Sequence, residues 1–266
     1  MQEQPPLIAL LTDFGLEDTY VGQMKAAILS ITPRAQIIDL THAVPPQDIV
    51  QGAFLLERAL PVLPEGTVVV AVVDPGVGTE RKAIAVESGG RIFIGPDNGL
   101  FTPILEKHEV GAAVEITERR YMRPLRSSTF HGRDIFAPAA AHAASGVPIA
   151  ELGSAIMQEE CRRIPMPGVR PVDGKTGWEG SVVFRDRYGN LVTSIPSELA
   201  GEEAAWRVVL SDGTAVPLLG TYGEAGEGEA LAYRGSFGNL EIAVRNGSAH
   251  DRFGLGRGDL VRLERG

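Results

Sequence analysis

The sequence is poor in the features that mark several classes of protein. Of its 266 residues only Cys161 is a cysteine, so an internal disulfide and a thiolate metal cluster are both excluded. No apolar run approaches the roughly 20 residues that span a bilayer. The first residues, M-Q-E-Q-P-P, contain no basic region typical of a secretory signal. We therefore expect a cytoplasmic protein with no membrane partner.

Positive charge is scarce, with 25 Lys and Arg residues against 34 Asp and Glu and a formal net charge of −9. This balance argues against nucleic acid as the main partner. Neither G-x-G-x-x-G nor G-x-x-x-x-G-K-[ST] occurs, so the dinucleotide fingerprint and the P-loop are missing. The histidines and acids show no H-x-H, H-x-x-x-H or D-x-D spacing, and we expect no bound metal.

What the sequence does contain is organised around the stretch from Thr67 to Glu87. Val68–Val73 is a continuous apolar run, which predicts a strand buried on both faces of a sheet. The run ends at Asp74 in a Pro- and Gly-rich turn, and Arg81 follows just before a second predicted strand. Sheets of α/β proteins bind ligands at this edge. From this stretch alone, a ligand site and an ordinary surface turn with a salt bridge both remain open.

The first half of the chain alternates strand and helix patterns. Leu7–Leu11 predicts a short strand that also leads into an acid, Asp13. Asp18 stands where an N-cap would open a helix through residues 20–31. We therefore predict an α/β sheet domain covered by helices over residues 1–155. Further elements predicted there are strands at 36–40 and 112–116, helices at 49–60, 100–106 and 135–144, and a hairpin of strands 83–86 and 91–94.

The second half of the chain has a different character. Residues 156–177 are rich in proline and lack periodicity, which predicts a linker. From residue 178 to 266, short strand patterns alternate with Gly, Asn and Asp turns. This pattern predicts a small antiparallel β-barrel or sandwich domain. Its predicted strands are 180–185, 191–195, 206–210, 230–233, 240–244 and 259–263.

Six short motifs occur in order along the chain: L-L-T-D-F-G, V-V-D-P-G-V-G-T, I-G-P-D-N-G, S-S-T-F-H-G-R-D-I-F-A-P, Y-G-N and G-S-F-G. Together they closely resemble the S-adenosylmethionine hydroxide adenosyltransferases, which are relatives of the fluorinating and chlorinating enzymes. The resemblance runs from about Leu7 to Leu263, and D-P-G-V-G-T and F-H-G-R-D are its specific motifs. It implies an N-terminal α/β domain, a C-terminal β-barrel domain and a homotrimer. It also implies that each active site lies between one subunit's first domain and a neighbour's second domain.

The resemblance further implies roles for individual residues. Asp74, Arg81 and His131 match the set that positions and activates a water molecule. The matches to substrate-binding residues are Asp13 for both ribose hydroxyls, Asp18 and Asp186 near the methionine ammonium, Asn190 for the adenine base and Ser236 for the methionine end. S-adenosylmethionine is then the small-molecule substrate, and neither a metal nor an organic cofactor is implied.

The implied reaction is hydrolysis of S-adenosylmethionine to adenosine and L-methionine by in-line attack of water at the ribose 5′ carbon. A departing sulfonium becomes a neutral thioether and needs no general acid, whereas water is a weak nucleophile that must be held and polarised. Two alternatives stay open. A halide-using adenosyl transferase is disfavoured because Asp74 and His131 stand where the halogenating relatives have uncharged residues. A non-catalytic sensor of S-adenosylmethionine or adenosine would keep the pocket without turnover.

Overall fold

The computed structural model describes residues 4–124, 127–172, 177–202 and 205–266, and the chain divides into two compact units. The first unit is Met1–Met166 and the second is Pro167–Gly266. Residues 173–176, which belong to the predicted linker, lie outside the described residues. Within the described ranges, no helix is both long enough and apolar enough to cross a membrane.

The first unit is built on a seven-stranded mixed sheet. In chain order its strands are β1 (Leu7–Thr12), β2 (Gln36–Thr41), β3 (Val68–Val72), β4 (Ala83–Ser88), β5 (Arg91–Pro96), β6 (Val110–Ile116) and β7 (Gly153–Ala155). Their order across the sheet is β2-β1-β3-β5-β4-β6-β7. The pairs β1–β2, β1–β3 and β3–β5 are parallel, whereas β4 and β6 run antiparallel to their neighbours. The predicted hairpin is confirmed as β4 and β5.

Helices cover both faces of this sheet, as the sequence predicts. They are α1 (Tyr20–Ile31), α2 (Ile49–Ala59), α3 (Thr102–Lys107) and α4 (Ala137–Ala144). Every residue of β3 is buried. Val68, Val70 and Val72 pack into a core with α1 and α4, while Val69 and Ala71 pack into a second core with α2 and α3. In a strand with a core on each face, no side chain points to solvent, which explains why the run is continuously apolar.

The predicted bounds of α1, residues 20–31, are confirmed, but its N-cap residue was predicted wrongly. The helix begins at Tyr20, and its N-cap is Thr19 rather than Asp18. The reason is the position of the first intrahelical hydrogen bond, which the amide of Gln23 donates to the carbonyl of Thr19 over 2.9 Å. The Thr19 hydroxyl accepts from the Gln23 side chain at 2.8 Å, and no side chain caps the backbone there. Asp18 therefore lies exposed in the loop between β1 and α1.

Two helix starts differ from prediction. The helix expected from Leu100 begins at Thr102, because Leu100 belongs to a turn in which its amide donates to the Asn98 side chain over 3.2 Å. The helix expected from Ile135 is preceded by a π-helical turn over Gly132–Phe136. This turn immediately follows His131, and α4 continues from it.

The second unit is an antiparallel, nearly closed barrel, which confirms the predicted fold class. Its strands are β8 (Arg170–Pro171), β9 (Gly177–Arg185), β10 (Leu191–Pro196), β11 (Trp206–Leu210), β12 (Ala215–Pro217), β13 (Ala230–Arg234), β14 (Asn239–Val244) and β15 (Leu260–Arg265). They are ordered β12-β11-β15-β9-β10-β14-β13, with β8 paired to β9. A bridge between Leu218, just after β12, and Ala232 in β13 brings the two ends of the sheet together. A short helix, α5 (Ala249–Phe253), and β12 were not predicted.

Close packing of β5 against β3 generates a test of the first unit's core. A Cβ atom on Gly95 would lie 2.2 Å from the carbonyl oxygen of Ala71 and 3.0 Å from Cζ of Phe101. We expect Gly95→Ala to lower the free energy of unfolding by about 2 kcal/mol, because the buried backbone of β3 cannot move aside. The measurement is urea unfolding followed by circular dichroism.

Gly111→Ala in β6 is the matched control, since its Cβ would meet its nearest neighbour at 3.7 Å, in ordinary contact. That variant should stay within about 0.5 kcal/mol of the parent protein. Equal losses in the two variants would contradict the packing argument.

Candidate active site

Two acids lie where neighbouring parallel strands end. Asp13 directly follows β1, and Asp74 lies two residues beyond the end of β3. The two strands are paired in parallel as far as Thr12 and Val72, so the chain leaves both at the same edge of the sheet. The sheet topology therefore brings together two carboxylates that are far apart in sequence, at the edge where α/β sheets bind ligands.

The carboxylate of Asp74 is held by Arg81 in a buried ion pair. Nη2 of Arg81 lies 2.5 Å from Oδ2 of Asp74, and Nε lies 3.1 Å from each carboxylate oxygen. The two side chains are only 5% and 7% exposed. The guanidinium group also lies over the ring of Phe136, 5.2 Å from its centroid. A charge held this firmly in a buried position can orient a polar ligand without rearranging.

His131 joins this pair through the guanidinium group. Its Nδ1 lies 2.8 Å from Nη2 of Arg81. Arginine can only donate, so Nδ1 accepts, and the proton of the neutral imidazole is on Nε2. His131 also immediately precedes the π-helical turn over Gly132–Phe136, a distortion that is frequent at functional sites. The Asp74–Arg81–His131 set thus combines one fixed carboxylate with one fixed imidazole N–H donor.

Asp13 is half-buried beside this set. Its Oδ2 accepts a hydrogen bond of 2.8 Å from the amide of Gln47, in the loop before α2. Burial raises the pKa of Asp13, the hydrogen bond from Gln47 opposes the rise, and the charge of Asp74 adds to it. A carboxylate can accept about four hydrogen bonds, so Asp13 retains capacity for two ligand hydroxyls.

Asp18 is the candidate residue of the first unit that is not part of this set in the structure. Its carboxylate is exposed, and among the described residues it has no hydrogen-bond or ion-pair partner. Across the same described ranges, no three side chains of His, Cys, Asp or Glu are grouped so that they could hold a metal ion.

In the second unit, Asp186 and Asn190 meet in the turn between β9 and β10. Oδ1 of Asp186 accepts from the amides of Tyr188 at 2.8 Å and Asn190 at 2.9 Å. Oδ2 of Asp186 accepts from Nδ2 of Asn190 at 2.9 Å. Gly189 supplies the positive φ of 85° that the turn requires. The Y-G-N motif is therefore both a tight turn and a support that fixes one buried amide side chain.

Three residues that sequence reasoning missed lie behind Asn190: Tyr222, Tyr233 and Glu241, hereafter the tyrosine network. Nδ2 of Asn190 lies 3.0 Å from the Tyr222 hydroxyl, which donates to the Tyr233 hydroxyl at 2.8 Å. Tyr233 in turn donates to Oε2 of Glu241. The available signal was an acid inside the apolar strand L-E-I-A-V, directly opposite Tyr233 in the register of β13 and β14.

Burial governs the protonation of the tyrosine network. Glu241 is 4% exposed. Burial raises its pKa, the hydrogen bond from Tyr233 opposes the rise, and the charge of Asp186 adds to it. Burial and the hydrogen bonds to Glu241 and Tyr222 raise the pKa of Tyr233 far above its ordinary value. The Tyr233 hydroxyl therefore keeps its proton and acts as a donor.

Asn190 and Tyr222 open onto a cavity of about 680 Å³, whose wall also includes Tyr188, Val244 and Asn246. This volume lies within the usual range for small-molecule sites. Ser236 is exposed in the turn between β13 and β14. Its neighbour Phe237 packs against Phe184, two residues before Asp186, with ring centroids 6.1 Å apart.

Comparison with known proteins agrees with the resemblance drawn from the motifs. Residues 8–153 match the SAM hydroxide adenosyltransferase N-terminal domain, and residues 180–262 match the C-terminal domain of the same family. The chain is 43% identical to a protein of Thermus thermophilus named (R)-S-adenosyl-L-methionine hydrolase, over 96% of this chain and 98% of the relative. It is 31% identical to a protein of Actinoplanes named fluorinase, over 90% of each.

A solved structure has the same fold. The crystal structure of an uncharacterized conserved protein from Thermotoga maritima aligns with a TM-score of 0.89 and 36% sequence identity. The alignment covers 97% of this chain and 100% of the other. Both units therefore have counterparts in that protein.

The buried ion pair generates a stability prediction. Arg81→Met should lower the free energy of unfolding by about 3 kcal/mol or more, because it leaves the carboxylate of Asp74 buried and unpaired. Adding Asp74→Asn removes the unpaired charge, so the double variant should recover much of the loss. Urea unfolding of the parent, single and double variants measures this.

Arg120→Met is the matched control, because it removes an ion pair to Glu151 of 3.5 Å from a side chain that is 62% exposed. Its cost should stay below about 1 kcal/mol. A double variant as unstable as Arg81→Met alone would show that the unpaired carboxylate is not the cause.

Proposed function

The chain belongs to the SAM hydroxide adenosyltransferase family, and from this membership we propose that it hydrolyses S-adenosyl-L-methionine to adenosine and L-methionine. The observation that carries the proposal is the buried Asp74–Arg81 ion pair with His131 hydrogen-bonded to it, at the same edge of the sheet as Asp13, where α/β proteins bind ligands. The name of the Thermus thermophilus relative supports the same reaction.

In the proposed reaction, a water oxygen attacks C5′ of the ribose in line with the bond to sulfur. The C5′–O bond forms as the C5′–S bond breaks, and the bonding electron pair stays on sulfur. The sulfonium becomes the neutral thioether of methionine, and one proton is released from water. A neutral leaving group needs no acid or Lewis acid, and we therefore propose that no metal or organic cofactor takes part.

The geometry suggests how the proton is handled. Nδ1 of His131 accepts from Arg81 and Nε2 carries the proton, so the imidazole would donate to the water oxygen. Asp74 is then the group in the set that can accept a hydrogen bond from water and take its proton. Holding water in line between these two groups supplies the orientation that a weak nucleophile needs.

The same carboxylate favours water over a halide. A negative charge on Asp74, in a side chain only 5% exposed, would repel chloride or fluoride at the water position. Repulsion between like charges is strongest where solvent is excluded. Water, which can donate to the carboxylate, has no such penalty.

Substrate-binding roles follow the family resemblance. Asp13 would accept from both ribose hydroxyls, in charge-assisted hydrogen bonds that are stronger than neutral ones. Asn190 would contact the adenine base, and the cavity beside it supports this role. The residues proposed for the methionine end are Asp18, Asp186 and Ser236.

We also propose a cytoplasmic homotrimer in which each site is shared between two subunits. The candidate residues divide between the units, with Asp13, Asp74, Arg81 and His131 in the first and Asp186, Asn190 and Ser236 in the second. Pro165 and Pro167 flank the point where the first unit ends and the second begins, and a stiff connection disfavours folding back within one chain. The head-to-tail interfaces of a cyclic trimer can pair the two halves across subunits.

Isotope labelling tests the reaction. Incubation with S-adenosyl-L-methionine in ¹⁸O-water should give adenosine labelled at the 5′ oxygen and unlabelled methionine, because the oxygen comes from the attacking water. Mass spectrometry of both products is the measurement. Asp74→Ala protein should give neither product above background, while still binding the substrate.

Three outcomes would sink the proposed reaction: unlabelled adenosine, 5′-chloroadenosine as the main product in chloride buffer, or substrate recovered intact after hours with the parent protein. The second would indicate a halide-using transferase and the third a sensor.

Subunit mixing tests the shared site. Asp74→Ala and Asn190→Ala proteins should each be inactive, since each lacks one half of every site. After dissociation and joint reassembly, some interfaces pair an intact first unit with an intact second unit, so part of the activity should return. Mixed oligomers that form but remain inactive would place each site within a single chain.

A further inference from the structure

The hydrogen bonds behind Asn190 run in one direction. Glu241 ends the tyrosine network with a carboxylate oxygen that accepts from the Tyr233 hydroxyl. With its proton used there, the Tyr233 oxygen accepts from Tyr222 at 2.8 Å. The Tyr222 oxygen accepts in turn from Nδ2 of Asn190 at 3.0 Å. One buried carboxyl group thus sets the direction of every donor between itself and Asn190.

Asp186 holds the same amide nitrogen from another side. Its Oδ2 accepts from Nδ2 of Asn190 at 2.9 Å, so both protons of that nitrogen have protein acceptors. The opposite atom, Oδ1 of Asn190, has no hydrogen-bond donor among the described residues. Asn190 is 4% exposed and lines the cavity of about 680 Å³. Oδ1 is therefore the amide atom left to bind a ligand.

We propose that Tyr233 and Glu241 are positioning residues that hold the Asn190 carbonyl toward the bound base, so that the site selects a 6-aminopurine over a 6-oxopurine. The inference rests on the proposed function, which supplies the assignment of the nucleoside base to this cavity.

The selectivity follows from hydrogen-bond chemistry. A 6-amino group donates a hydrogen bond to Oδ1 of Asn190, whereas a 6-oxo group would place two acceptors against each other. Rotating the amide to accommodate the 6-oxo group would turn Oδ1 toward the acceptor oxygens of Asp186 and Tyr222. Sites with fixed polar groups discriminate strongly because the wrong ligand leaves them unpaired.

Nucleoside binding tests this without relying on turnover. Titration calorimetry on the full chain should show adenosine binding about 10- to 100-fold more tightly than inosine. This is the difference expected when inosine leaves one polar contact unpaired. Tyr233→Phe removes the hydroxyl that orients Tyr222, and Glu241→Met removes the terminal acceptor. Each variant should lower the ratio of adenosine affinity to inosine affinity at least fivefold, chiefly because adenosine binds more weakly.

Tyr121→Phe is the matched control. It also removes a tyrosine hydroxyl that donates to a glutamate, Glu151, at 2.8 Å, but in the first unit. Its affinity ratio should equal that of the parent protein. If Tyr233 had only a structural role, Tyr233→Phe would weaken the binding of both nucleosides alike and leave the affinity ratio unchanged. The ratio therefore separates a positioning role from a loss of structure.

The outcomes distinguish this inference from the proposed function. Cooperative thermal unfolding shows which of the Tyr233→Phe and Glu241→Met variants are folded. If the folded variants have the same ratio of adenosine to inosine affinity as the parent protein, the inference alone is overturned. Equal affinity of the parent protein for adenosine and inosine would also overturn it, while ¹⁸O labelling would still decide the reaction. A parent protein that binds neither nucleoside would overturn both the inference and the nucleoside site.

Discussion

The buried ion pair between Asp74 and Arg81 is the interaction on which the first-unit site depends. Burying either charge alone would cost several kcal/mol, so each side chain requires the other. Arg81 reaches both carboxylate oxygens and Nδ1 of His131, and Phe136 covers its flat face. One guanidinium group thereby fixes the orientation of a carboxylate and the tautomer of an imidazole, and leaves the set ready to hold a small polar ligand.

Much of the first unit could be predicted because its pattern is local. A continuous apolar run can form a strand buried on both faces, and the cores on either side of β3 follow from it. An acid directly after such a strand must lie at the sheet edge, which placed Asp13 and Asp74 correctly. Their proximity needed one further fact that local patterns do not contain, namely that β1 and β3 are neighbours.

The parts that could not be predicted depend on long-range register. Tyr233 and Glu241 interact only because β13 and β14 pair with these two residues opposite each other, and a shift of one residue would point Glu241 to the other face. Tyr222 joins them from outside either strand. Likewise, the residue pattern around Asn190 predicted only a turn. The prediction that Asn190 binds the adenine base came from the family resemblance. The N-cap of α1 was misplaced by one residue because Asp18 and Thr19 are both good N-cap residues, although the helix covers residues 20–31 as predicted.

Under the proposed function the two units would have different chemical tasks, and the charge of each candidate site fits its task. In the proposed reaction the sulfonium loses its positive charge as the bond to sulfur breaks. A site that stabilised this cation strongly would favour the substrate over the transition state and slow the reaction. Because Arg81 lies against Asp74, the field of the ion pair falls off quickly with distance and would add little net attraction for the sulfonium. A molecule in direct contact with the carboxylate oxygens would still meet their negative charge, which favours water over a halide there. The second unit, by contrast, presents the cavity with Asn190, a neutral amide fixed by hydroxyl groups and Asp186. Recognition of an uncharged base requires a fixed pattern of donors and acceptors, and a buried carboxyl at the far end of the tyrosine network can set that pattern without itself bonding to the base.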